Sequence, residues 1–217
     1  MTVVVGYLAG NSDTGPLELG VEAARAMRTS LTVATVVPKP WAVPSQARVD
    51  AEYAAWADQL AGGSADEARR HLGATADQPE TTYHSHANRS ASDGLIEVVE
   101  ELGAEMLVLG STANGKPGYV DIGSTADPLL HSSPVPVAIA PRGYRGSRGG
   151  VLTRISCGYP AAPEAVAMVA SIAGLAARLG VPLRVITFAV RGGTMYPPEI
   201  GLHAEDAVQE AWAEHAR

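Results

Sequence analysis

Short β-branched runs alternate with amphipathic helical stripes through the first 141 residues, and that alternation leaves few folds open. Residues 3–8 (VVVGYL) form an apolar run of the kind buried on both faces of a parallel sheet. Residues 16–28 place Leu17, Val21, Ala24 and Met27 on one helical stripe, with Pro16 tolerated in the first turn. Residues 31–37 (LTVATVV) predict a second strand closed by Pro38 and Pro40. Residues 50–72 predict a long helix that Gly62 and Gly63 bend or fray. A strand over 80–86, a helix over 90–102, a strand over 106–109, a short helix over 127–131 and a strand over 135–140 complete the series. Helices of this length between strands require right-handed crossovers. The expected fold class is therefore α/β, a doubly wound five-stranded parallel sheet covered on both faces. Such sheets take ligands at the carboxyl ends of their strands.

Composition removes several function classes. With 46% hydrophobic and 18% charged residues, a chain of 217 residues can bury a core. A net charge of −7 opposes a nucleic-acid surface, which needs clustered Lys and Arg. The apolar runs are strand-sized, well short of the roughly 20 residues that span a bilayer. The start, MTVVVGY, lacks the basic region and cleavage site of a secretory signal. Cys157 stands alone, so no intramolecular disulfide forms, and its strand pattern predicts a buried, inert thiol. The expectation is a cytoplasmic protein with neither nucleic acid nor membrane as partner.

Residues 142–150 (RGYRGSRGG) read as a Gly/Arg linker. Beyond it the chain repeats itself. Gly6-Tyr7 and Gly158-Tyr159 each end an apolar run, and Leu31-Thr32-Val33 and Leu183-Arg184-Val185 each open the next strand, both pairs 152 positions apart. Ala55-Trp56-Ala57 recurs as Ala211-Trp212-Ala213 in the following helix. The expected organisation is a complete domain over 1–141 and a partial second copy over 151–217. That copy stops short of any counterpart to residues 110–124, which implies a shortened tandem or a fragment docked on another surface.

Residues 105–141 carry the most chemistry. A buried strand leads into a Gly-rich loop, a short helix and a second buried strand, with the pattern Gly110-x2-Ala113-x9-Gly123-Ser124 inside. A loop between a parallel strand and a helix start offers free backbone N–H groups and the positive end of a dipole, which suit a phosphate. Gly110 and Gly123 let the backbone approach without a Cβ in the way. The Ser124 hydroxyl serves equally as a helix cap or a phosphate donor. Ala113 adds a methyl group that Gly115 offsets with its own freedom.

The spacing of that loop, the strand–helix order and the phrase Ser133-Pro134-Val135-Pro136-Val137 together resemble the universal stress protein family, in its tandem form with an incomplete second domain. The resemblance implies an adenine-nucleotide α-hydrolase-like sheet and a stress-response regulatory protein binding ATP or a related adenine nucleotide, with Mg²⁺ alongside. It assigns phosphate contacts to Gly110, Ser111, Thr112, Ala113, Gly123, Ser124 and Thr125, and a base pocket to Gly6 and Val36. In nucleotide-binding members the first strand ends in an Asp facing the nucleoside. Leu8 holds that position here, and Asp13 comes five residues later. The resemblance also implies edge-to-edge pairing through the last strand, as a homodimer or a pseudo-dimer.

Other signals point less far. His84 and His86 share one strand face, but no third metal ligand of convincing spacing follows them. His131 suits a dipole interaction at a helix end. Lys116 precedes Pro117 and lacks a P-loop context, and 41–46 (WAVPSQ) is either a flap or a plain connection. Three functions compete: an ATP-binding regulator with at most slow hydrolysis, a family member acting through dimerisation and protein contacts, and an adenylating enzyme. The last rests only on the loose echo AGNSDTG at 9–15, with no activated nucleophile or acid–base pair beside it.

Overall fold

Val3, Val4 and Val5 are all fully buried, which only a central strand covered on both faces allows. A computed structural model describes residues 2–10, 13–39, 47–73, 78–146, 152–159, 165–187, 210 and 214. The chain divides into two compact units, Met1–Val151 and Leu152–Arg217.

The first unit runs β1 (Thr2–Gly6), α1 (Gly15–Met27), β2 (Ser30–Pro38), α2 (Ala47–Leu72), β3 (Thr81–Asn88), α3 (Ala91–Glu101), β4 (Met106–Gly110), α4 (Ala126–Ser132) and β5 (Val137–Ala140). All pairings are parallel, in the order β3-β2-β1-β4-β5. The sheet is doubly wound, with its strand order reversing between β1 and β4. The period-2 alternation of side chains sorts the core into two layers. Val3, Val5, Leu31, Val33 and Val108 meet Leu17 and Val21 of α1 and Ala68 and Leu72 of α2. Val4, Ala34, Leu107 and Leu109 meet Leu95 and Val98 of α3 and Ala126 and Leu129 of α4. Gly20 permits the close approach of α1, since a Cβ there would lie 2.3 Å from Val5 Cγ2.

Helix α2 runs through Gly62 and Gly63 without a break, so the glycines do not fray it. Packing of Ser64, Ala68 and Leu72 holds the last turns, so tertiary burial outweighs the roughly 1 kcal/mol that each glycine costs a helix. Among the described residues no helix is long and apolar enough to cross a membrane.

The second unit contains β6 (Ile155–Tyr159), α5 (Ala165–Leu179) and β7 (Leu183–Thr187), the two strands again parallel. Its register reproduces that of β1 and β2 with every residue 152 positions on: Val3↔Leu31 becomes Ile155↔Leu183, and Gly6↔Ala34 becomes Gly158↔Ile186. The helix ends repeat too. Arg28 and Thr29 N–H close α1 on Arg25 and Ala24, and Gly180 and Val181 N–H close α5 on Ala177 and Ala176. Arg28 takes the left-handed conformation at φ 54, and Gly180, 152 positions on in the second unit, does so at φ 65. Cys157 is buried in β6. The Trp-centred repeat at 211–213 lies outside the described residues, as does the segment 41–46.

Candidate functional site

Where β1 and β4 diverge, their carboxyl ends open a cleft of about 370 Å³, within the range of small-ligand sites. Every residue carried over for nucleotide contact lies on its wall. Gly6 and Leu8 come from the end of β1 and Val36 from β2. Gly110, Ser111, Thr112 and Ala113 follow β4, and Gly123, Ser124 and Thr125 lead into α4. Ala34, Leu95 and Leu109 make the inner wall apolar. A side chain at Gly6 would crowd this wall, its Cβ lying 2.8 Å from Leu109 Cδ2 and 3.1 Å from Leu95 Cδ1.

The loop 111–125 is braced from within. Thr112 N–H donates to Asp121 O at 3.0 Å, and the Ser111 hydroxyl donates to Tyr119 O while accepting from Asp121 N–H. Gly118 and Tyr119 exchange backbone hydrogen bonds with Arg142. The left-handed residue is Gly118 at φ 81, not Gly115, which instead lacks room for a Cβ beside Asp121 and the Thr112 carbonyl. Ala113 keeps a negative φ, so its methyl group brings no backbone strain and needs no compensating glycine. Thr125 is the cap position of α4 and makes no side-chain cap bond. The hydroxyl of Ser124 and the N–H groups of Gly123, Ser124 and Thr125 have no protein acceptor among the described residues. Glycine at 110 and 123 also answers a packing need: a Cβ would meet Pro16 at 3.3 Å and Thr112 Cγ2 at 3.0 Å.

Asp13 lies on the cleft wall although its position in sequence is late for the role. Its Oδ1 accepts from Gly15 N–H at 2.9 Å, and both carboxylate oxygens take Gly143 N–H at 3.3 Å. Residues 142–146, read from composition as part of a linker, therefore fold back on the first unit. Tyr144 donates to Glu22 and Arg145 reaches the Thr14 hydroxyl. Burial first, and then the hydrogen bond to Glu67 at 2.5 Å, push the Tyr7 phenol well above its ordinary 10.0. Burial and Glu22 do the same to Tyr144. Both phenols stay neutral in the folded state, while the unfolded chain ionises near 10. Stability is thus full below pH 10 and falls as pH rises beyond it. Urea midpoints across the alkaline range should show this decline, and a Tyr7→Phe/Tyr144→Phe variant should flatten it.

The family model described as "Universal stress protein family" matches residues 1–141. The chain belongs to the universal stress protein family. Universal stress proteins of Mycobacterium bovis and Mycobacterium tuberculosis are each 60% identical to it over all 217 residues, which span 74% of their length. A Pseudomonas aeruginosa structure assigned to the universal stress proteins aligns over 99% of this chain and 66% of its own, with a TM-score of 0.55 and 11% identity. A universal stress protein from Archaeoglobus fulgidus, solved in complex with dAMP, aligns over 64% of this chain and 97% of its own, at TM-score 0.44 and 16% identity.

Within this universal stress protein domain, Leu8 is 41% exposed at the cleft mouth. The wall residues that sequence reasoning missed are Tyr7, Pro16, Ala34, Ala91, Leu95, Leu109 and Ala126. Most are small or apolar types that carry no binding signal in sequence, and only the fold brings them to one cleft. His131 sits in the last turn of α4, as its spacing suggested. The carboxylate that no local spacing offered to His84 and His86 comes from α3, where Glu101 approaches both rings. On the same helix, hydrogen bonds from His86 and Asn88 hold the exposed Glu97 carboxyl below its ordinary value.

Proposed function

We propose that this universal stress protein is a stress-response regulator that binds ATP or a related adenine nucleotide in the cleft of its first unit. One observation carries the reading: the backbone N–H groups at 123–125, which have no protein acceptor among the described residues, belong to the lining of a cleft whose other wall, Ala34, Val36, Leu95 and Leu109, is apolar. Amides without protein acceptors suit phosphate oxygens, and the apolar wall suits a purine face. The glycines at 6, 110 and 123 and the residues Leu8, Ser111, Thr112, Ala113, Ser124 and Thr125 supply the remaining contacts. Mg²⁺ would ride on the phosphates, held mainly by their oxygens. Among the described residues Asp13 is the one carboxylate on the wall, and it accepts two backbone N–H groups, which fits hydrolysis that is at most slow. Calorimetric titration with ATP and Mg²⁺ tests the reading, and absence of heat at millimolar nucleotide overturns it. In the same titration Gly123→Val, whose side chain would collide with Thr112, should weaken binding by about tenfold or more, a loss of roughly 1.4 kcal/mol. Its circular dichroism should stay unchanged.

A second reading is favoured by Leu8 at the nucleoside-facing position. There the domain works through protein contacts without nucleotide. Strand β5 stands at the edge of the five-stranded sheet with Val137 and Ile139 half-buried, a position that suits pairing with a second chain. Light scattering that shows a strict monomer at high concentration removes the homodimer form of this reading.

A further inference from the structure

The edge strand β3 carries two imidazoles that take no part in the cleft. His84 and His86 lie on one face of the strand, in register with Ala34 and Val36 of β2. Their rings stack with centroids 6.2 Å apart and planes at 20°. Helix α3 packs over that face and brings Glu97 and Glu101, one turn apart, to the two rings. One nitrogen from each histidine and a carboxylate oxygen of Glu101 lie within 4.8 Å of one another. His84 Nε2 is buried, has no hydrogen-bond partner among the described residues, and stands 4.0 Å from Glu101 Oε2. An imidazole nitrogen left that way loses its bond to water without replacement, and a ligand that restores it is favoured.

We propose that His84, His86 and Glu101 bind a divalent transition metal ion, with zinc the best chemical match. Two imidazoles and one carboxylate are the donor set of a three-ligand zinc site, the fourth position going to water. Magnesium and calcium prefer an all-oxygen shell and are disfavoured here. Ligand bonds of about 2.0–2.1 Å put tetrahedral donors roughly 3.3 Å apart, so the three atoms must draw together by an ångström or so. Glu101 can supply that movement, since its side chain is 58% exposed. Glu97, with its Oε2 2.5 Å from His86 Nε2 and 3.0 Å from Asn88 Nδ2, already steadies the second ring. The ion would clamp edge strand β3 to α3, the helix whose first turns line the cleft. The site stands independently of the nucleotide reading.

The test uses the full chain, freed of metal with chelator and without nucleotide. Titration with zinc should show one tight equivalent per chain, and cobalt in its place should give the intense visible absorption of four-coordinate Co²⁺. His84→Gln should abolish the tight equivalent. Glu101→Gln, at an exposed position that leaves the fold intact, should weaken it about tenfold or more and cancel the rise in melting temperature that zinc gives the unaltered protein. No stoichiometric binding at micromolar zinc overturns the proposal. Binding that both variants leave unchanged overturns it equally, because the ion would then sit elsewhere.

Discussion

Leu107→Ala is expected to destabilise the first unit by about 2–5 kcal/mol, the usual cost of deleting a fully buried leucine side chain. Leu107 is 0% exposed on β4, between β1 and β5, and packs with Val4, Val98 and Leu129. It cannot relax outward, because the neighbouring strands fix its backbone and α3 and α4 roof its face. A domain of this kind has about 5–15 kcal/mol of stability in total, so the loss decides whether it stays folded at growth temperature. Urea denaturation should show a lower midpoint with an unchanged slope. A cost under 1 kcal/mol would mean that the layer between the sheet and α3–α4 is looser than its burial indicates.

Leu8→Asp should tighten adenine nucleotide binding by about 10–100-fold. A hydrogen bond to a charged group is worth about 1.5–3 kcal/mol, and 1.4 kcal/mol is tenfold. Leu8 sits at the cleft mouth, 41% exposed, so a carboxylate there stays hydrated and costs the fold little. In nucleotide-binding members an Asp at the matching position faces the nucleoside, and the substitution would return that acceptor to the ribose side. Calorimetry on both forms reads the change. Unchanged affinity would mean that the ribose does not lie against the end of β1. Binding that appears only in the Leu8→Asp form would favour the protein-contact reading for the natural chain.

Much of the first unit could be read in advance because its central strands are short runs buried on both faces, and such runs show as continuous apolar stretches. Val3 to Val5 and Leu107 to Leu109 are of this kind. The glycine pattern of the loop was legible for a different reason. Gly110 and Gly123 sit where a side chain would be crowded, by Pro16 at 3.3 Å and Thr112 Cγ2 at 3.0 Å, a constraint that leaves a mark at single positions. Less visible was anything that depends on two segments meeting. Asp13 lines the cleft while its carboxylate is held by Gly143 N–H, 130 residues later, as well as by Gly15 N–H. Glu101 meets His84 only because α3 packs beside β3, a pairing that strand spacing does not encode. Arg142 to Arg145 read as linker from composition, yet their hydrogen bonds to the first unit come from groups composition cannot locate.

From the sequence alone came the alternating elements, the strand-end loop from Gly110 to Ser124 and the 152-residue repeat, because each is written in local periodicity or in the residues that a tight backbone path permits. The tertiary structure decided the strand order, the equal register of the β1–β2 and β6–β7 pairs, the place of Asp13 and the convergence of His84, His86 and Glu101. These depend on which faces pack together, and packing is set by the summed burial of segments far apart in the chain rather than by any one of them.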